Sequence, residues 1–388
     1  MNDAVIVDVV RTASGKGKPG GALSSVHPVD LLATVLQALV ERNGLDLALV
    51  DDVIGGCVSQ TDEQALNITR TALLAAGFPE SVPATTIDRQ CGSGQQAASF
   101  AAQGVIAGAY DVVIACGVES MSRVPMFSSA RGADTSGTLL GRRYTEGLIP
   151  QGVSAELIAA RWKLDREELD AFSARSHQLA AATAASGGFD REIVPIGGHT
   201  VDETVRPATT AEGLAGLKPA FTGAPEAARF PEIDWRITPG NSSPLTDGAS
   251  AALIMSAATA ERLGLTPRAR FHSFAVTGSD PLLMLTGVVP ATEKILARSG
   301  LTIDDIDAYE VNEAFAPVPL VWQREVGADL DKLNPRGGAI ALGHPLGASG
   351  GRLLATLLGQ LEATGGRYGL QTMCEGGGMA NATIIERI

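Results

Sequence analysis

Two cysteines and one histidine in this 388-residue chain stand where covalent chemistry needs them: Cys91, His344 and Cys374. Cys91 lies in Ile87-Asp88-Arg89-Gln90-Cys91-Gly92-Ser93-Gly94-Gln95-Gln96. An apolar, β-branched approach over 82–87 stops at the cysteine, small residues follow, and 97–107 reads as a buried helix. The thiol is therefore expected where a strand turns into a helix N-terminus. Unpaired N–H groups and the positive end of the helix dipole favour a thiolate there, and the glycines let another molecule approach the backbone. A covalent nucleophile needs this environment. A buried structural cysteine is the competing reading, because free Cys is among the most buried residue types.

His344 sits in Gly343-His344-Pro345-Leu346-Gly347-Ala348-Ser349-Gly350, and Leu353, Leu354, Leu357, Leu358 and Leu361 follow at helical spacing. It too occupies a glycine-rich turn before a helix, where an imidazole can take the proton from a thiol. A hydrogen-bonded structural histidine is the alternative for any lone His. Cys374 precedes Glu375-Gly376-Gly377-Gly378. A thiol beside exposed N–H groups can both move a proton and stabilise an oxyanion; a buried strand cysteine before a flexible turn is the bland counterpart. Asn312, in Asn312-Glu313-Ala314-Phe315, ends a strand over 309–311, where a carboxamide can hold a ligand or a water or simply start a turn.

The elements that must position these residues read as α/β. Strands are expected over 4–10, 50–58 and 111–115, and helices over 28–40 and 65–76, so strand and helix alternate as in a mostly parallel sheet covered on both faces. Residues 119–246 break that rhythm with charged helices (154–162 and 166–185) and polar loops, and read as an insertion over the core. Alternation resumes from about Pro267. Val50-Asp51-Asp52-Val53 is matched by Ile303-Asp304-Asp305-Ile306, and the same spacing carries Cys91 onto His344. A strand over 111–116 ending in Cys-Gly is echoed by one over 368–374 ending in Cys-Glu-Gly. A duplicated unit is expected: 1–118 with 247–266 as one half, 119–246 as the inserted loop domain, and 267–388 as the second half.

Composition sets outer bounds. Hydrophobic content of 45% supports a large core, and a net charge of −13 argues against nucleic-acid or anionic-membrane partners. Four cysteines without a CxxC suggest neither zinc nor disulfides, and hence a reducing cytoplasm. The acidic start runs straight into a strand, unlike a signal peptide, and no apolar run reaches a membrane span.

Taken in order, Cys91 in CGSG, Asn312 in NEAF, His344 in GHPLGASG and Cys374 in CEGGG resemble the thiolase family, the acetyl-CoA C-acyltransferases. The resemblance runs from Arg11-Thr12 to a last strand over 382–385. It includes Glu119-Ser120-Met121-Ser122 and Asn241-Ser242-Ser243-Pro244-Leu245-Thr246-Asp247-Gly248-Ala249.

The resemblance implies a five-layer αβαβα sandwich of two related halves plus a loop domain. It implies reversible thiolysis of 3-ketoacyl-CoA to acyl-CoA and acetyl-CoA. Cys91 would carry the acyl group, His344 would act as its base and Cys374 would move the proton at carbon. One oxyanion hole would be formed by the N–H groups of Cys91 and Gly376, the other by His344 with a water held by Asn312. CoA is implied as substrate, with Ser243, Lys218 and Phe221 as contacts, and no permanent cofactor or metal. A homodimer or homotetramer built partly through the insertion is implied. Biosynthetic members usually carry His-Met-Gly in the loop domain, whereas this chain has Pro150-Gln151-Gly152. Gln90 and Cys374-Glu375 look more like actinobacterial degradative enzymes, some acting on sterol side chains, so a longer or bulkier acyl group is expected. The other readings are a biosynthetic acetoacetyl-CoA thiolase, a Cys–His hydrolase, and a non-catalytic acyl-CoA or lipid-binding relative. A ketoacyl synthase would need a second His where Cys374 stands.

Overall fold

The computed structural model describes residues 3–388; Met1 and Asn2, part of the acidic start, lie outside the described residues. Strands β1 (Ala4–Thr12), β2 (Gly15–Lys16), β3 (Asp52–Gly56), β4 (Ala84–Ile87), β5 (Val112–Ser120), β6 (Ile193–Val194), β7 (Thr246–Ser256), β8 (Ala269–Gly278), β9 (Ala308–Val311), β10 (Tyr368–Glu375) and β11 (Met379–Arg387) make an 11-stranded mixed sheet. Its main path is β4-β3-β5-β7-β1-β8-β11-β10-β9. The two halves meet at an antiparallel β1–β8 pairing, Val5 with Arg270 and Ile6 with Ala269, so the sheet is continuous through its middle.

The helices are α1 (Pro28–Asn43), α2 (Ile68–Ala75), α3 (Ser93–Ala107), α4 (Gly137–Arg143), α5 (Gln151–Arg161), α6 (Arg166–Ala185), α7 (Ala211–Ala215), α8 (Ala257–Leu263), α9 (Val288–Ser299), α10 (Pro317–Val326), α11 (Ala339–Leu342) and α12 (Leu346–Thr364). Side-chain alternation sorts them into layers. Val5, Val7 and Val10 of β1 and Ile114 and Cys116 of β5 pack with Leu31, Leu36 and Leu73 of α1 and α2. The intervening Ile6, Val9, Val113 and Ala115 face Ala97 and Ala101 of α3 and Leu354 and Leu357 of α12. Ala269, Phe271 and Ile385 of the second half join that same cluster, while Val311, Leu370 and Ile384 pack outward with Ile295 of α9 and Trp322 of α10. The layer order is helix, sheet, α3 with α12, sheet, helix. Burial on both faces is why β1, β5 and β7 read as continuous apolar runs.

The duplication is real, but part of its register differs from the sequence match. Asp51 Oδ2 accepts from the N–H groups of Asp111 (2.7 Å) and Val112 (2.9 Å), 60 and 61 residues on. Asp307 Oδ2 accepts from those of Arg367 (2.6 Å) and Tyr368 (2.9 Å), again 60 and 61 residues on. The counterpart of Asp51 is thus Asp307, not Asp304. Asp304 and Asp305 belong to a 3₁₀ turn capped at Thr302, whose first-half equivalent is Leu47–Leu49 capped by Asp46. Caps and strand entries both favour acids, and the short match confused one with the other. In the strand register Val118 stands for Cys374 and Glu119 for Glu375, so Cys116 is no echo of Cys374 and instead packs in the α1–α2 core.

Cys91 and His344 do correspond, each just before α3 or α12 begins. Those helices meet backbone to backbone. A Cβ on Gly94 would lie 2.5 Å from the Gly347 carbonyl oxygen, and one on Gly350 1.8 Å from the Gln95 nitrogen. No larger residue fits this crossing.

The insertion joins β5 to β7, where the second half has only the turn 376–378 between β10 and β11. It does not merely lie over the core. Its β6 pairs in parallel with Arg11 and Thr12 of β1. Buried Arg11 donates to Glu192 Oε1 (2.7 Å) and Asp202 Oδ1 (2.7 Å) of the insertion. Ile158, Leu169 and Phe172 enter the second half's core. These apolar positions were hidden in sequence by the charges on the outer faces of the same helices.

Candidate active site

The turn that presents Cys91 is locked from below. Gln90 has φ +48°, a left-handed conformation unusual for a non-glycine residue. Ser93 Oγ donates to the Gln90 carbonyl (2.6 Å) and accepts from the Arg89 N–H (2.9 Å), which holds that strained residue in place. Gly92 is the cap residue of α3.

Cys91 is only 6% exposed. Burial pushes its thiol up to about 12 and the nearby Glu375 charge adds to this, opposed by the Cys91 N–H, the Gln151 side chain and the Gly376 N–H, which favour the thiolate. The helix-start environment was expected to yield a thiolate; desolvation outweighs the dipole, so the resting group is a thiol. The expected pair of donors, the Cys91 and Gly376 N–H groups, both favour the thiolate form of the sulfur. Gln151, at the start of α5, joins them, and only its place in an unusual loop pointed to it in the sequence.

His344 is anchored by its own N–H, which donates to Thr246 Oγ1 (3.0 Å). Its Nδ1 lies 2.6 Å from Ser349 Oγ, and that hydroxyl donates to the Pro345 carbonyl (2.9 Å). A serine hydroxyl has one proton, so Nδ1 must be the donor in the first bond and Nε2 carries the lone pair. Asn312 Nδ2 lies 3.3 Å from Nε2, consistent with that tautomer. Burial and the Arg352 charge push His344 down to about 3, so it is a neutral base. Ser349 was not singled out in the sequence, although its place one turn into the helix was a usable signal.

Asn312 is held by the residues on either side. The Val311 N–H donates to Asn334 Oδ1 (2.9 Å) and its carbonyl accepts from Asn334 Nδ2 (2.9 Å). Glu313 accepts from Ser176 Oγ (2.7 Å), Asn334 Nδ2 (2.9 Å) and the Ile340 N–H (3.0 Å). Asn312 Oδ1 is buried without a hydrogen-bond partner among the described residues, so it keeps acceptor capacity.

Cys374 is fully buried. Burial raises its thiol well above the ordinary value, and the neighbouring Cys91 and Glu375 charges add to this. Glycines 377 and 378, at φ +83° and +81°, close the β10–β11 hairpin in a conformation other residues resist, and this turn carries Gly376.

Two clefts open from Cys91. One is lined by Met121, Ser243, Pro244, Leu245, Phe315, His344 and Leu346, among others. The other runs past Val58, Ser59, Asp88, Gln90, Met126, Phe127, Ser129, Gln151 and Leu346. Ser243, whose Oγ donates to the Ala314 carbonyl (3.1 Å), lines the first. Phe221 lies behind it, edge-on to Phe315 at 6.2 Å and against Gly152. Lys218 is exposed and outside both linings. The sequence passed over Glu119 as a positioning group. Fully buried, it accepts from the N–H groups of Val58, Ser59 and Gly347 (3.0 Å each) and from Gln64 (2.9 Å), tying the end of β3 to the start of α12.

Among the described residues no group of His, Cys, Asp and Glu is arranged to hold a metal ion, and no helix is long and apolar enough to cross a membrane.

The family model "Thiolase, N-terminal domain" matches residues 4–258 and "Thiolase, C-terminal domain" matches 265–387. The chain is 48% identical to the steroid 3-ketoacyl-CoA thiolase FadA6 of Mycobacterium tuberculosis, over all of this chain and 95% of that one. It is 44% identical to the 3-ketoacyl-CoA thiolase of Cronobacter sakazakii over the full length of both. The crystal structure of the Bacillus anthracis acetyl-CoA acetyltransferase superposes with a TM-score of 0.89 at 38% identity, covering 100% of this chain and 99% of that one.

Proposed function

The chain belongs to the thiolase family, and from that premise we propose that it cleaves 3-ketoacyl-CoA with CoA, giving acyl-CoA and acetyl-CoA through an acyl-Cys91 intermediate. The convergence of a buried thiol at the foot of two clefts, a neutral imidazole whose Nε2 carries the lone pair and a second, fully buried thiol close by carries this reading.

In the proposed route His344 Nε2 takes the Cys91 proton as sulfur attacks the 3-keto carbon. The new oxyanion meets the N–H groups of Cys91 and Gly376, which already favour negative charge on the sulfur. Each such donor lowers a barrier by about 3 kcal/mol. Collapse breaks the bond between the α and keto carbons, and the acetyl-CoA enolate oxygen is stabilised by protonated His344 and by a water on Asn312. Cys374 gives its proton to the enolate carbon. The incoming CoA thiol then gives up its proton, which restores Cys374, and the CoA thiolate takes the acyl group from Cys91, whose departing thiolate recovers its proton from His344. Atoms and charge balance without an external oxidant or reductant, and CoA is a substrate rather than a resident cofactor.

We assign the cleft past Ser243 and Phe315 to the CoA arm, with Phe221 and Lys218 as outer contacts. The cleft past Val58, Met126 and Phe127 is assigned to the acyl chain. Val58, Met126, Phe127 and Leu346 give it apolar side chains for an acyl group, and the 48% identity to a chain named for steroid substrates favours a bulky one. The domain division given above, a place in β-oxidation, a cytoplasmic setting and a homodimer or homotetramer belong to the same proposal. Exposed Phe127, Leu139 and Leu140 on the insertion support assembly through that region.

Thiolysis kinetics over a panel of 3-ketoacyl-CoA esters, from acetoacetyl-CoA to a sterol-like ester, tests it. The expected order of kcat/KM rises with acyl size. Turnover of acetoacetyl-CoA alone would favour the biosynthetic alternative, and CoA binding without turnover the non-catalytic one.

A further inference from the structure

Directly after Cys374, which faces the outer core, Glu375 turns to the inner face and lies on the nucleophile turn. A Cβ on Gly92 would sit 2.0 Å from Glu375 Oε1 and 2.8 Å from Asn381 Nδ2. Glu375 is fully buried, and neither carboxyl oxygen has a hydrogen-bond partner among the described residues.

The duplication supplies an internal comparison. Glu119 occupies the same strand position in the first half, and its carboxylate takes three backbone N–H groups and one side-chain amide. Burial still raises its carboxyl, but the four donors offset part of that cost. Glu375 has none, and an unpaired buried carboxylate is far more costly than the neutral acid. The charged and titratable groups facing it are Arg89 and Asp88 from the strand–helix turn and the thiols of Cys91 and Cys374. Burial pushes Glu375 up to about 8, with Arg89 opposing and Asp88 adding to the rise. At neutral pH the carboxyl therefore keeps its proton.

We propose that Glu375 is a positioning residue whose own proton sets how readily Cys91 becomes a thiolate. This rests on Cys91 being the nucleophile. With the proton in place, the sulfur loses its own proton beside a neutral acid. As pH rises the Glu375 O–H proton leaves to solvent, and the thiolate must then form against a fixed negative charge in a low-dielectric site. Glu375 thus confines easy activation of Cys91 to the pH range below its own ionisation, and Gly92 is glycine so that the carboxyl can lie this close.

The test is the rate of Cys91 alkylation by iodoacetamide between pH 6 and 11 on the full chain without CoA esters, with the modified peptide identified by mass. Glu375→Gln and Glu375→Leu should alkylate about tenfold faster than the parent at pH 9, the effect of a one-unit shift in thiol ionisation. Glu375→Asp should keep the parent profile. An unchanged or slower profile in a folded neutral variant overturns the proposal. If neither neutral variant folds, the parent curve decides: it should be shallower than a single ionisation, and a simple one-proton curve overturns the proposal. Alkylation needs no turnover, so a chain that alkylates as described but fails at thiolysis would sink the proposed function and leave this inference standing.

Discussion

Removing one hydroxyl, Ser349→Ala, probes the His344 tautomer directly. In the folded chain His344 Nδ1–H, Ser349 Oγ and the Pro345 carbonyl form a relay with bonds of 2.6 and 2.9 Å. Without the hydroxyl a buried N–H and a carbonyl each lose a partner, a local cost of about 1–3 kcal/mol. Asn312 Nδ2 still points at Nε2 from 3.3 Å and still favours the same tautomer, so the histidine is loosened rather than flipped. The catalytic effect should match one net hydrogen bond, about 0.5–1.5 kcal/mol. That corresponds to a fall in kcat/KM of roughly twofold to tenfold, measured by spectrophotometric thiolysis alongside a thermal scan. Adding Asn312→Ala removes the second tautomer restraint, so the double variant should lose more than the product of the single losses. Parent-like kcat/KM in a Ser349→Ala protein, or single losses that simply multiply, would refute the reasoning.

Cys374→Ala should still exchange acyl groups between acyl-CoA and Cys91, since that half-reaction moves no proton at carbon, yet lose thiolysis of 3-ketoacyl-CoA by at least about 100-fold; trapping the acyl-enzyme by mass separates the two. His177 is pushed down to about 4 by burial and the Arg206 charge, and its Nδ1 accepts the Arg206 N–H at 3.1 Å. The unfolded chain binds this proton near pH 6.5 and the folded chain only near 4, so its contribution is present above 6.5 and lost as pH falls between them. His177→Asn, which keeps an acceptor, should therefore gain on the parent in urea midpoint as pH falls through that window, by up to about 1.4 kcal/mol per pH unit. Arg11→Met leaves Glu192 and Asp202 buried without their cation and should cost about 3–5 kcal/mol in chemical denaturation; a loss below about 1 kcal/mol would contradict the tie between insertion and core.

The chemistry-bearing turns were legible because local rules make them so. An apolar run stopping at Cys91 or Cys374, with small residues after it, marks a strand end whatever surrounds it. The helix over Arg166–Ala185 was likewise plain in its charge pattern and matches the structure at both ends. What escaped was set by distant partners. The thiol state of Cys91 depends on how much protein covers it, which no window of sequence reports. The anchoring of Asn312 comes from Asn334, whose φ of +46° and three hydrogen bonds are invisible in Asn-Pro-Arg. The pairing of Asp51 with Asp307 needed the backbone, since a nearby pair of acids offered a closer match in letters.

The glycine crossing of α3 and α12 also bears on how this chain becomes active as it folds. Neither Cys91 nor His344 has its final surroundings until two helix starts far apart in the chain touch through bare backbone at Gly94 and Gly347. Contacts that close so long a stretch form late, after local structure is in place. Each half can hold most of its secondary structure while the reactive thiol is still uncovered and without its base. Recovery of thiolysis after dilution from denaturant should thus lag behind recovery of helical content, which makes catalysis a clock for the meeting of the halves. An uncovered Cys91 in that interval is also the point where an oxidant or alkylating agent would divert the chain before it is complete.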